Sequence, residues 1–419
     1  MDTIQKVEMK EQHKYAVMYL YSALVVLGGL LVSPFQEVVE GIIKLTVSPA
    51  LLLTDYFQLG GIGAALVNSG MLLLFSVFLA QKSKAPINGK FLSAMYFFGG
   101  FALFGKNFYN VLSIITGVFL YGRLKKERFA KHVNVALLGT ALAPVVSQLS
   151  FGMNLDPLLG LVLGNLAGII IGLILQPLAV SFVNFHQGYN LYNLGFTAGM
   201  AGMVVMALFR VAGHDHKMVS IIYPKTEAPV AAFLVLYFVS MIGFGALFSK
   251  DSLKNYGKLL KFRIKAATDF VELAGFSLAF INMGVMGLLC MAVALLFKAP
   301  LNGPVVGAVF TVAGFSSFGN HPKNSLPVMA GAILGHLLSG VQLSATGAMM
   351  AVIFSTTLAP IAGDFGIGAG LLAGLLHISI VPNTSYLHGG MNLYNNGFAG
   401  GFAAAALAPL LQAYTRKKA

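Results

Sequence analysis

Charge is scarce in this sequence: Asp, Glu, Lys and Arg make up 10% of its 419 residues, 57% are hydrophobic, and the mean hydropathy is +0.80. A soluble globule carries about 25% charged residues, so an ordinary soluble domain is excluded. No stretch is polar enough to form one separately. Apolar stretches of about 17 to 25 residues recur instead, the length a helix needs to cross the hydrocarbon layer. The alternating strands of an outer-membrane barrel, roughly ten residues each, are absent. Cysteine is reduced to Cys290, which excludes an intrachain disulfide and a multi-cysteine metal site. No small-residue cleavage site follows the first apolar run, Tyr15 to Val32, so that run reads as an uncleaved span. No Asp or Glu lies deep within a long apolar run, against a mid-membrane carboxylate relay. HExxH, CxxC and Walker A motifs are missing, as is a GxSxG set between a strand and a helix. Enzyme chemistry, a resident metal and a cofactor are therefore not expected.

What the chain has is a duplication. His186 to Gly199 reads HQGYNLYNLGFTAG and His388 to Gly401 reads HGGMNLYNNGFAGG, identical at nine of fourteen positions. At an offset of 214 residues TDYFQLGG from Thr54 aligns with TDFVELAG from Thr268, and Asn68 with Asn282. The segments Asn88 to Gly105 and Asn302 to Gly319 then match at seven of eighteen positions. Ala143-Pro144 pairs with Ala359-Pro360 at 216, whereas the motif pairs at 202, so the first copy carries about 14 extra residues between Pro144 and Gly172. The repeats cover residues 12–212 and 226–413. Each offers about seven membrane segments, and an odd number makes the second copy enter from the opposite side.

Loop charge points the same way. The net charge of +13 would suggest nucleic acid in a soluble protein, but the cations cluster in short loops, Lys125 to Lys131 and Lys254 to Lys265. That is the pattern of cytoplasmic loops under the positive-inside rule, and no nucleic-acid partner is expected. Arg123, Lys125, Lys126, Arg128 and Lys131 face His336 to Ala345, which has no Lys or Arg. Lys82, Lys84 and Lys90 face only Lys298. Lys6, Lys10 and Lys14 begin the chain and Arg416, Lys417 and Lys418 end it. The expectation is an all-α integral membrane protein of two inverted repeats, with both termini cytoplasmic and some segments re-entrant or broken.

The repeated motif is the leading candidate site. Asn190, Tyr192, Asn193 and Gly195, with Asn392, Tyr394, Asn395 and Gly397, supply neutral donors and acceptors and room for close backbone approach. A helix starting inside the membrane exposes N–H groups at its positive end, suited to an anion or the polar end of a solute. The alternative is that Asn and Tyr cap the helix and Gly permits close packing. His186 and His388 are matched, either as structural hydrogen-bonders or as gating or proton-coupling groups. Asn68 and Asn282 sit in apolar spans and either bond a neighbouring helix or line a path. Asp55 and Asp269 precede a span, where an N-cap explains them economically and a coupling-ion carboxylate is the alternative. Asn88 and Asn302 read as caps.

With its TDY, INGK, GFALFGKN, TALAP and HQGYNLYNLGFTAG segments, the chain resembles a bacterial membrane-protein family defined by a tandemly repeated domain of unknown function. The resemblance covers nearly the whole chain and implies a polytopic bacterial inner-membrane protein, with no substrate attached. GYN in a Gly-rich segment is similar to urea channels, and seven-plus-seven inverted repeats resemble nucleobase and sulfate permeases; both are analogies of fold. The functional expectation is a transporter or channel for a small polar or anionic solute, passive or coupled to Na+ or H+. The alternative is a non-transporting membrane scaffold or complex subunit. The lipid bilayer is a partner in either case, and a homo-oligomer is compatible with both.

Overall fold

The computed structural model describes residues 8–215, 219–262 and 268–415. Lys6, Lys265, Arg416, Lys417 and Lys418 of the charge pattern lie outside them. The regular secondary structure of the described residues is helical apart from one isolated bridge, Thr54 to Ile221. The first half contains α1 (Glu11–Val32), α2 (Phe35–Thr46), α3 (Tyr56–Gly60), α4 (Ile62–Ser83) and α5 (Gly89–Gly100), followed by α6 (Phe108–Leu124), α7 (Val133–Gly139), α8 (Ala143–Ser147), α9 (Pro157–Phe182) and α10 (Asn193–Val211). The second half repeats the order as α11 (Ala228–Phe248), α12 (Lys250–Leu259), α13 (Phe270–Ala274), α14 (Phe276–Leu296) and α15 (Gly303–Phe315), then α16 (Pro322–Leu338), α17 (Thr346–Phe354), α18 (Ala359–Phe365), α19 (Ile367–Ser385) and α20 (Asn395–Thr415). The 14-residue excess of the first half is accommodated by a π turn at Gln148–Gly152, the link to Asp156, and an α9 of 26 residues against 19 in α19.

Helices dominate because hydrocarbon offers no partner to a free N–H or C=O. Ten stretches are long and apolar enough to cross a membrane by length and composition, five in each half: α1, α4, the α7–α8 unit, α9, α10 and their counterparts. The two remaining apolar segments of each half are the arms of a broken hairpin, α5–α6 and α15–α16. Of the seven segments expected in each half, five thus have the length of a crossing and two are shorter helices. Small residues let the spans approach closely, as association in lipid requires. Gly29 of α1 lies against Gly63 and Val67 of α4, and Gly117 of α6 against Ile169 and Gly172 of α9. Gly245 of α11 meets Ser277 and Ile281 of α14, and Gly374 of α19 meets Val328 and Ala332 of α16.

In the first hairpin, α5 runs back along α4, and α6 starts beside α4 and packs along α9. Ser69 donates to the Gly99 carbonyl at 2.7 Å, and Phe75 packs on Phe108 with ring centroids 5.5 Å apart. At the tip Gly105 has φ +143° and its counterpart Gly319 +130°, values that L side chains rarely adopt. The break frees carbonyls, and one asparagine per half answers them. Asn68 Nδ2 donates to the carbonyls of Ala102 and Lys106 at 2.7 and 2.8 Å; Asn282 Nδ2 donates to those of Ser316 and Asn320 at 2.6 and 2.7 Å. The tip is closed by Asn107 and Asn110, whose backbone N–H groups each donate to the other's side chain.

α5 and α15 pack antiparallel. Gly89 at the start of α5 lies against the Ser317 carbonyl beyond the end of α15, Gly100 faces Gly307, and Gly303 at the start of α15 faces the Leu103 carbonyl. Asn88 and Asn302 cap their helices, accepting from Phe91 and Val305 at 3.0 and 3.2 Å. Each arm is capped again from the other half. Asp269 accepts from the N–H groups of Gly89 and Lys90 at 2.9 and 3.2 Å, and Asp55 from Gly303 at 3.2 Å.

Candidate functional site

The repeated motif folds as an irregular segment running into a helix. Backbone from His186 to Tyr192 is non-helical, with Gly188 at φ +79°, and α10 begins at Asn193; in the second copy Gly390 stands at φ +81° and α20 begins at Asn395. The two helix starts cross. Gly195 lies against Gly397, the rings of Tyr192 and Tyr394 are 4.8 Å apart at their centroids, and Phe196 stacks on Phe398 at 5.7 Å. Each pair joins equivalent residues of the two copies. Tyr96 and Phe310, also equivalent, meet at 6.1 Å farther along.

Most motif side chains are committed to holding this crossing. Asn190 donates to the Gly397 carbonyl at 3.0 Å and accepts from the Tyr192 N–H at 3.1 Å and from the Thr357 hydroxyl. Asn193 donates to the Ala179 carbonyl at 3.0 Å, and its Oδ1 pairs with His186 Nε2 at 2.9 Å. Asn395 donates to Ser385 Oγ at 2.6 Å and accepts from Thr384 at 3.2 Å, while His388 Nε2 donates to the Gly199 carbonyl at 3.0 Å. Asn392 accepts from the Tyr394 N–H at 3.0 Å, and its buried Nδ2 has no partner among the described residues. Asn190, Asn193 and Asn395, expected to bond a solute, are hydrogen-bonded within the protein here. Their amides fix the irregular backbone, because a buried broken helix must satisfy its own polar groups first.

The remaining candidates fall into structural positions. Asn68 and Asn282 bridge to the hairpin tips, as described. Asp55 and Asp269 are N-caps, Asp55 for α3 through the Phe57 N–H at 2.8 Å and Asp269 for α13 through the Val271 N–H at 3.0 Å. The Tyr223 N–H also donates to Asp55 at 3.0 Å. Burial pushes the Asp55 carboxyl up to about 7, against the pull of these N–H donors.

A cavity of about 350 Å³ opens beside the first motif. Asn190, Tyr192, Asn193, Gly195 and Tyr394 line it; Asn392, Asn395 and Gly397 do not. Sequence reasoning missed the rest of its polar wall: Lys90, Ser93, Asn134 and Gln176, with Phe315 and Phe318 as an aromatic side. Asn134 Oδ1 and Gln176 Oε1 are buried without a partner among the described residues. Thr357 was also missed, although the aligned TALAP and TTLAP segments pointed toward it. The first N–H groups of α10, at Asn193, Leu194 and Gly195, have no intrahelical acceptor, and Tyr192 supplies no side-chain cap. Those three residues line the cavity, its exposed Lys90 is cationic, and no Asp or Glu contributes to the wall. The N–H groups and the lysine suit acceptors on a solute, and the unpaired Asn134 and Gln176 oxygens suit a donor on it.

The opposite half-site is closed. Asn134, Leu138 and Gln176 correspond to Met350, Phe354 and Ile378 in the second repeat. Phe354 packs against Phe101 at 5.7 Å and Tyr394 at 5.7 Å, and Phe101 against Tyr394 at 5.0 Å. Aromatic volume there replaces the polar wall.

A family model described as "Protein of unknown function (DUF1576)" matches residues 35–211 and again residues 248–413. The chain belongs to this family. Two matches to one model within a single DUF1576 chain agree with the element-for-element repetition of the fold. Among curated proteins and among solved structures, nothing matches.

Proposed function

We propose that this DUF1576 protein moves a small polar or anionic solute across a bacterial inner membrane, through a site between two inverted repeats. The cavity at the uncapped start of α10 carries the reading, with the first residues of that helix, two unpaired amide oxygens and a lysine lining one space. Inversion is supported by the antiparallel contact of α5 with α15 and by five crossings per half. Under that topology the cavity faces the side bearing Lys82, Lys84 and Lys90, the cytoplasm, while its counterpart is shut. One half-site open and the other packed is what alternating access requires of a single resting state. A scaffold with tightly packed motifs fits the second copy but leaves the polar cavity of the first unexplained.

The test is flux of glycerol, urea, acetate and nitrate into liposomes carrying the full chain, with and without Na+ or H+ gradients. Leu138→Phe imports the residue of the closed half and should fill the cavity, reducing the flux of any transported solute at least tenfold while the protein stays folded. The reading fails if none of the four moves, or if Leu138→Phe conducts like the parent.

A further inference from the structure

At the tip of the first hairpin sits a lysine that the site described above does not use. Lys106 is fully buried, and its Nζ has no hydrogen-bond partner among the described residues. It lies 3.7 Å from the centroid of the Phe97 ring and 5.1 and 5.4 Å from those of Phe101 and Phe98. Aromatic faces attract an ammonium but supply no acceptor, and no Asp or Glu pairs with it. A lysine inside a membrane protein ordinarily faces a carboxylate, a carbonyl or water. This one is held by rings alone.

Its place in the fold says what it waits for. Phe97 and Phe101 also pack on Tyr394, at 4.6 and 5.0 Å, so the lysine's aromatic box is part of the plug that closes the second half-site. Gly105 beside it lies against Leu393 of the second motif. In that motif, next to Leu393, Asn392 Nδ2 is also a buried donor without an acceptor among the described residues. The repeat equivalent of Lys106 is Asn320, at the tip next to the open cavity through Phe318, and both of its side-chain polar atoms are buried and unpaired. Both hairpin tips therefore present an unsatisfied donor, and only the one in the closed half is an amine able to carry charge.

We infer that Lys106 is the anion-holding residue of the second half-site, and that the solute is a compact monoanion with oxygen acceptors, a carboxylate or an inorganic oxyanion. This rests on the transport reading above. As the Phe101–Phe354–Tyr394 plug parts, the ammonium exchanges the face of Phe97 for the solute's oxygens, and Asn392 Nδ2 donates beside it. A charge-assisted hydrogen bond in a site shielded from water is stronger than a neutral one, so an anion is preferred over a neutral isostere of the same shape.

The experiment compares acetate, nitrate and the neutral isostere acetamide as stabilisers of the full-length detergent-solubilised protein, in chloride-free buffer. The readout is the unfolding midpoint as a function of concentration. The wild type should be stabilised by acetate, nitrate or both at concentrations at least tenfold below any effect of acetamide. Lys106→Gln and Lys106→Met should lose at least tenfold in apparent affinity for the anion while keeping a monodisperse fold. Response to acetate alone assigns a carboxylate, and response to nitrate as well assigns the broader class. The inference is overturned if neither anion stabilises the wild type, if acetamide does so equally, or if both variants respond as the wild type does. Liposome flux reads the transport proposal separately: solute movement with no Lys106-dependent anion binding removes this assignment alone.

Discussion

At the residue scale the informative groups are those whose partners lie far along the chain. Asn68 and Asn282 look in sequence like polar intrusions into apolar spans. Each proves to be the partner of two carbonyls exposed by a broken helix 34 and 38 residues later. Removing either amide strands two buried acceptors. Asn68→Ala should therefore cost about 1–3 kcal/mol per lost partner, read as a lower unfolding midpoint in detergent. Asp55 makes a second prediction at this scale. Its folded-state pKa, raised to about 7, stands above the ordinary value of 3.8, so the folded protein holds the proton more tightly than the unfolded chain. That contribution is full below about 3.8 and is lost as pH rises through 7. Stability of the wild type should fall between pH 4 and 7, and Asp55→Asn should flatten the decline. Equal slopes in the two proteins would show that another group titrates.

At the scale of elements, much was legible. The duplicated motifs, the Gly-rich helix starts and the short Asn88 to Gly105 segment all describe helices that begin or end within the protein, because glycine and asparagine are tolerated there for identifiable reasons. What the sequence could not show is which polar atoms are left over after the backbone has been satisfied. Asn190 and Asn193 have the composition of a binding motif, yet their amides are consumed by Gly397, Ala179 and His186. Asn134 and Gln176, unremarkable in sequence, are the ones with an unpaired oxygen. Lys106 carries no signal in the sequence, since its aromatic box of Phe97, Phe98 and Phe101 is assembled by the hairpin turn. The crossing of α10 and α20 depends on two glycines. A Cβ at Gly397 would lie 2.9 Å from Gly195 Cα and one at Gly195 2.6 Å from the Tyr394 ring. Gly397→Ala should force the helix starts apart and destabilise by about 1–3 kcal/mol, with Tyr394 changing its near-ultraviolet signal.

At the scale of the whole molecule, the two halves have the same order of elements but different contents at equivalent positions. Asn134, Leu138 and Gln176 leave space where Met350, Phe354 and Ile378 fill it. The difference is built into the sequence, and under the proposed transport function it makes one face the preferred resting state. Orientation is directly measurable because Cys290 is buried and the only cysteine. Lys126→Cys and Gln342→Cys, both in exposed loops after the sixth helix of their halves, should be labelled by an impermeant thiol reagent from opposite sides of the membrane. Labelling from the same side would exclude inversion.

The exchanged aspartate caps bear on how such a protein is made. The N–H of Gly89 is capped by a carboxylate 180 residues downstream, so the ribosome delivers α5 long before it delivers Asp269. Until then the nascent first half has only the Asn88 cap on α5, with the Gly89 and Lys90 N–H groups lacking their carboxylate, and truncation before Thr268 would leave it so. The order of synthesis thus makes the first hairpin a late-maturing element, finished only when the second half has been inserted against it.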